Sequence, residues 1–219
     1  MIESIELFKS VVAENRMIQK EWHTSIDGKE YVCLAAAWGK PGTINSVKDC
    51  PSELFPQWVF ELMPTFDDGV SATEVSWLFK GFAERAEKMA AFSDARWKTV
   101  RTSFLIGVID IAVDHAQRAQ PSPAPAYWQQ VIDATSQVKT ALKTNDKEAA
   151  RAARAAAGAA GWAIAAEAAA IAAARVARVA EAAIAAEAAA RAARAAGAAA
   201  YKEIASMFFT CVDSMEESK

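Results

Sequence analysis

Three cysteines (Cys33, Cys50, Cys211) and two histidines (His23, His115) are all that 219 residues supply of the commonest soft ligands and nucleophile partners. No CxxC pair occurs, so a disulfide scaffold and a clustered zinc site are both excluded by spacing. Walker A, GxGxxG, HExxH, GxSxG and EF-hand patterns are missing too, and with them the signals for a bound cofactor or metal. We therefore expect neither a cofactor nor a metal. Charge of one sign is also lacking: 24 Lys and Arg against 27 Asp and Glu leave a net −3, which disfavours nucleic acid as a partner. No run of uncharged apolar residues approaches the roughly 20 that a membrane span needs. The opening MIESIELFKS carries acids where a signal peptide has an apolar core. The expected setting is the cytoplasm.

Alanine is what the chain has in excess, with 52 residues in all and 34 of them between Ala149 and Ala200. The large apolar side chains concentrate before residue 140, and the core is expected there. Their three- and four-residue spacing predicts helices over most of the chain, at least about 65% of it, hence an all-α fold, a helical bundle. A first helix is expected over 2–22 from Ile2, Ile5, Phe8, Val12 and Ile18. Asp27-Gly28 signals a short β-hairpin near residues 22–35, with a helical continuation through Leu34–Trp38 as the alternative. Ser52 is a candidate cap for a helix that stops before Pro64, and Asp67-Asp68-Gly69 reads as a turn. Ser71 or Thr73, and then Ser93 or Asp94, are candidate caps for helices running to about Phe92 and Val113. The Pro-rich stretch 120–126 is the expected linker between a mostly helical domain, 1–119, and an alanine-rich helical domain, 127–219, which opens with a helix through Trp128 and Leu142.

From Asn145 a capping box leads into a tract in which larger residues and glycines recur every third or fourth position as far as Gly197. Alanine is the best helix former and no proline follows Pro125, so the tract is read as helix. Unbroken from 146 to 215, it would extend about 105 Å at about 1.5 Å per residue. It either runs as one helix or turns back at Gly158–Gly161. Small residues permit close helix approach, and an uncovered alanine face favours pairing. A homo-oligomer is thus expected, with Gly158, Gly161, Ala170, Ala174 and Gly197 at its contacts. No Thr lies between Asn145 and Met207, which removes an ice-binding array.

Candidate chemistry is sparse. Asp67-Asp68 is a possible cation site, although acids also simply favour turns. Cys33 with His115 is a conceivable nucleophile pair that spacing does not support. Trp58, Trp77 and Trp97 read as core, whereas Trp22 and Trp38 are candidate exposed anchors for a partner. Arg175, Arg178, Arg191 and Arg194 form the basic part of the tract and are further candidate partner contacts.

Two stretches carry a resemblance. One runs through Asp49-Cys50-Pro51, Leu54-Phe55-Pro56-Gln57-Trp58-Val59 and Met63-Pro64-Thr65-Phe66-Asp67-Asp68, with Trp77 beyond it. The other is the alanine tract ending Ala200-Tyr201-Lys202-Glu203-Ile204-Ala205. Together they resemble alanine-rich phage and prophage proteins, and the alanine-rich half is similar to a family described as immunity proteins. The resemblance implies a mobile-element setting and a non-enzymatic protein that binds and blocks a host or competitor protein, an inhibitor, immunity or anti-defence factor. The competing expectation is a helical enzyme or small-ligand binder using His23, His115 or Asp67-Asp68.

Overall fold

Ile5, Phe8 and Val11 fall on one side of a helix, and in the computed structural model they are the buried face of α1 (Ile2–Ala13). The structure describes residues 2–40, 42–118, 126–144 and 183–215. Of the described residues 67% are helical, in six helices, beside one two-stranded antiparallel sheet. The remaining helices are α2 (Gln57–Gly69), α3 (Val75–Ala90), α4 (Asp94–Arg118), α5 (Ala126–Thr144) and α6 (Ala183–Asp213). The all-α expectation holds.

The hairpin signal is borne out by β1 (His23–Ile26) and β2 (Lys29–Val32), with His23 opposite Val32 and Ile26 opposite Lys29. Asp27 at φ 52° and Gly28 at φ 74° make the doubly left-handed turn that matches strand twist. The helix expected over 2–22 ends early. Asn15 turns left-handed at φ 54°, and the chain then runs beside β2. There the Ile18 N–H donates to the Val32 carbonyl and the Val32 N–H to the Arg16 carbonyl, both at 3.1 Å. The unpaired edge of β2 captures residues that periodicity assigns to a helix.

α2 also departs from its expected bounds. Pro56, not Ser52, stands at its N-terminus, and the helix continues through Pro64 to Gly69. An internal proline costs about 3 kcal/mol. Beyond Pro64, Phe66 and Val70 are buried, and each such side chain contributes about 1.5–3 kcal/mol, enough to offset it. Asp67-Asp68-Gly69 is accordingly the last turn of a helix rather than a loop. Ser71 and Thr73 do not cap α3, since their hydroxyls bond each other at 2.8 Å and Glu74 takes the cap position. Ser93 does precede α4, its carbonyl accepting the Trp97 N–H at 3.0 Å.

The chain divides into two compact units, Met1–Arg101 with Ala193–Lys219, and Thr102–Ala192. That division differs from the expected 1–119 and 127–219, because the end of the alanine tract belongs with the N-terminal residues. The reason lies in Ala205, Phe208, Phe209, Cys211 and Val212, all buried, which give the last turns of α6 a large apolar face that the alanines before them lack. Phe208 packs edge-on to Trp58 and against Phe66 and Phe82, while Phe209 meets Trp77 and Phe82. A second aromatic cluster joins Phe8, stacked 3.8 Å from Trp38, to Phe79 and Phe55. Trp38 is fully buried, so it is core and not an exposed anchor. It sits in a 3-10 turn at Ala36–Trp38, and its indole nitrogen has no hydrogen-bond partner among the described residues. In the second unit, Lys139 of α5 pairs with Asp110 of α4 at 2.5 Å.

Candidate functional site

One concave feature lies where α3 and the end of α6 meet within the first unit. On α3, Val75, Leu78, Phe79, Phe82, Ala86 and Met89 turn inward at helical spacing. Gly81 stands where Phe209 arrives, and a Cβ there would lie 2.4 Å from the Phe209 ring. Only glycine allows so close an approach. Beside the crossing, Ser76, Trp77, Lys80, Glu84 and Arg85 of α3 face Ser206, Phe209, Thr210 and Asp213 of α6 around an open groove of about 530 Å³.

The two ends of this groove are held differently. At one, Arg85 grips Asp213 in a two-pronged pair, Nε to Oδ1 at 2.8 Å and Nη2 to Oδ2 at 2.6 Å. The same guanidinium donates to the Gly81 carbonyl at 2.9 Å and lies 4.7 Å from the Phe209 ring centre. At the other, the Lys202 ammonium pairs with Glu74 at 2.9 Å and sits 5.3 Å from the centre of the Trp77 ring. Between them Trp77 is half-buried and Lys80 is exposed. The result is an aromatic floor under a rim of mixed charge, with the principal cations already paired. It offers contact area and shape.

A second, smaller concavity, of about 80 Å³, is lined by Lys20, Glu21, Trp22, Cys33, Pro64, Asp67 and Asp68, and an open hollow of about 350 Å³ adjoins it at Pro64, Thr65, Asp68, Gly69 and Tyr201. It forms because the last turn of α2 meets two irregular segments, 16–22 and 33–35. Asp67 is 1% exposed, the one charged residue in the described core. Its Oδ2 accepts the Leu34 N–H at 3.2 Å, and its Oδ1 has no partner among the described residues. Neighbouring Asp68 is exposed and accepts the Lys20 N–H at 2.8 Å, with Lys20 held at φ 70°. Gln19 donates to the Asp67 carbonyl and, at 3.1 Å, to the Val70 carbonyl, closing the end of α2. Burial pushes the Asp67 carboxyl up to about 7, the Leu34 N–H opposing this and the Asp68 charge adding to it.

Sequence reasoning placed Asp67 and Asp68 in a turn, and the structure places them in the last turn of α2, where Asp67 is buried and Asp68 exposed. Trp22, expected as an exposed anchor, is half-buried beside them. His23 is not part of this wall. It is exposed on β1, with Nε2 2.9 Å from Asn45 Oδ1. Cys33 is buried, and burial pushes its thiol up to about 11, as it pushes Cys50 up to about 12. Both stay protonated at neutral pH, the reverse of what an activated nucleophile requires. His115 belongs to α4, its side chain outside the described residues. Among the described residues no group of three or more His, Cys, Asp or Glu is placed to hold a metal ion. No described helix is long and apolar enough to cross a membrane.

The groove itself was missed by sequence reasoning. Its one legible trace is the change from bare alanine to Tyr201, Phe208 and Phe209 at the end of the tract. Of the residues expected at self-association contacts, Gly158, Gly161, Ala170 and Ala174 lie outside the described residues. Gly197 is described, and a Cβ there would meet nothing within 4 Å among the described residues of this chain. Arg175 and Arg178 also lie outside, and Arg191 and Arg194 are described only as helical backbone of α6. Comparison with protein-family models, with curated proteins and with solved structures finds no match to this chain.

Proposed function

We propose that this chain is a non-enzymatic protein-binding module, of the kind a phage or mobile element uses as an inhibitor, immunity or anti-defence factor against a host or competitor protein. The observation that carries this reading is the groove between α3 and α6. It has a half-buried Trp77 and a buried Phe209 at its floor, exposed Lys80 and Glu84 at its rim, and a volume of about 530 Å³ open to solvent. Aromatic residues flanked by polar ones are the composition of an interface centre and its rim. Self-association through the alanine tract belongs to the same proposal, as a way of presenting more than one groove.

A small-ligand reading has one observation in its favour, the Asp67 cavity. About 80 Å³ holds a group of a few atoms and leaves no room for a metabolite together with catalytic side chains.

The test is affinity capture from host cells with the parent chain, a Trp77→Ala/Lys80→Glu variant and a variant altered at an exposed residue outside the groove lining, such as Lys29→Glu. A protein captured by the parent and the Lys29 variant, but lost from the groove variant, supports the reading. Capture that is indifferent to the groove refutes it.

A further inference from the structure

We infer that the cavity at the end of α2 is a binding site for a compact organic cation of the guanidinium class, with Asp67 as its anchor. Three observations converge on it. First, Asp67 Oδ1 is a buried acceptor without a partner among the described residues, although its sister oxygen is held by the Leu34 N–H. A buried polar atom of this kind costs about 1–3 kcal/mol when unsatisfied, so its occupant must bring a donor. Second, about 80 Å³ is several times the space one water fills, so a single water does not complete the site.

Third, the wall chemistry chooses among donors. Glu21, Asp67 and Asp68 supply three carboxyls against the single ammonium of Lys20. Cys33, the other titratable group of the wall, stays neutral. Trp22 and Pro64 add flat apolar surfaces. A guanidinium matches both halves of this wall, since its edge donates to a carboxylate and its weakly hydrated faces lie against rings. An anion meets the wrong charge, and a neutral alcohol leaves the excess of acid unanswered. The chain's own candidate, Lys20, is exposed, and among the described residues it meets Asp68 through its backbone N–H, at 2.8 Å, and not through an ion pair of its ammonium. The cation is either a free small molecule or the tip of an arginine side chain on another protein, and the chemistry at Asp67 is shared by both.

The experiment is a titration of the full chain with methylguanidinium chloride, followed by amide chemical shifts, with sodium chloride at equal ionic strength as the reference. At pH 8 we expect saturable shifts confined to residues 19–22, 33–34 and 64–68. At pH 5.5, where the Asp67 carboxyl is protonated, the apparent affinity should fall by at least about tenfold. Asp67→Asn should abolish the saturable shifts, and Trp22→Leu should weaken them severalfold. Lys20→Ala, which removes a competing cation, should bind at least as tightly as the parent. A parallel titration with N-acetyl-arginine methylamide separates the sources: binding as tight as methylguanidinium identifies a protein side chain, and rejection identifies a free cation. Absence of saturation at pH 8, or the same affinity at both pH values, overturns the inference. The pH comparison uses the parent chain alone, so it decides the matter even if a variant fails to fold.

Discussion

Replacing Asp67 by Asn removes one ionisation and almost no volume, which isolates the energetic consequence of burying this carboxyl. In the unfolded chain the group titrates near 3.8, and in the folded chain near 7. Between those values the folded state holds a proton that the unfolded state has released. Its contribution is therefore greatest below pH 4, declines as pH rises and levels off above 7. Three units at about 1.36 kcal/mol each give a change of about 4 kcal/mol across that window. Other carboxyls slope the opposite way. Glu14, Asp49 and Glu87 are lowered by their hydrogen bonds and lose their contribution as pH falls. They are common to parent and variant, so the difference between the two proteins reports Asp67 alone. The assay is urea unfolding followed by tryptophan fluorescence at half-unit steps from pH 4.5 to 8.5. Urea replaces guanidinium as denaturant because a guanidinium ion is itself a candidate ligand of the cavity. The expected result is an Asn variant that gains on the parent steadily as pH rises, by up to about 4 kcal/mol at pH 8. Any constant cost from a poorly seated amide moves the whole curve and leaves its slope intact. Two parallel curves would refute the buried-carboxyl argument.

Other outcomes follow from the same packing. Gly81→Ala forces its Cβ onto Phe209 and should cost about 1–3 kcal/mol in urea unfolding, whereas Gly197→Ala, with open space around it, should add about 0.5–1 kcal/mol. Gly28→Ala also meets nothing within 4 Å but must hold φ 74°, so it should destabilise by about 1 kcal/mol from backbone strain alone. Cys33, Cys50 and Cys211 are buried with raised thiols, and a disulfide reagent at pH 8 should label none of them until urea unfolds the chain. Light scattering should give a mass above 23.5 kDa, altered by Ala170→Leu with Ala174→Leu; a compact monomer at high concentration excludes self-association through the alanine tract.

Local chemistry was enough to place most of the described elements. Asp27-Gly28 specified its hairpin because few dipeptides accept two left-handed residues in succession, and the spacing of Leu78, Phe79, Phe82, Ala86 and Met89 specified α3 because helical period and burial coincide there. Where the two conflict, the wider structure decided. Ile18 fits a helix by period, yet its backbone lies along β2 because an open strand edge offered hydrogen bonds. Pro64 signals a stop, yet the helix passes through it to bury Phe66 and Val70. The candidate sites belong to the second category. Asp67 was visible as an acid, but its environment depends on Leu34, Gln19 and Trp22, which come from segments more than thirty positions away. The groove depends on Phe209 reaching Gly81, a contact between segments far apart in the sequence. Periodicity reports which face of an element is apolar, because that is a property of neighbouring residues. Which face meets which other is set by the competition among all of them for burial, and that competition is settled only in three dimensions.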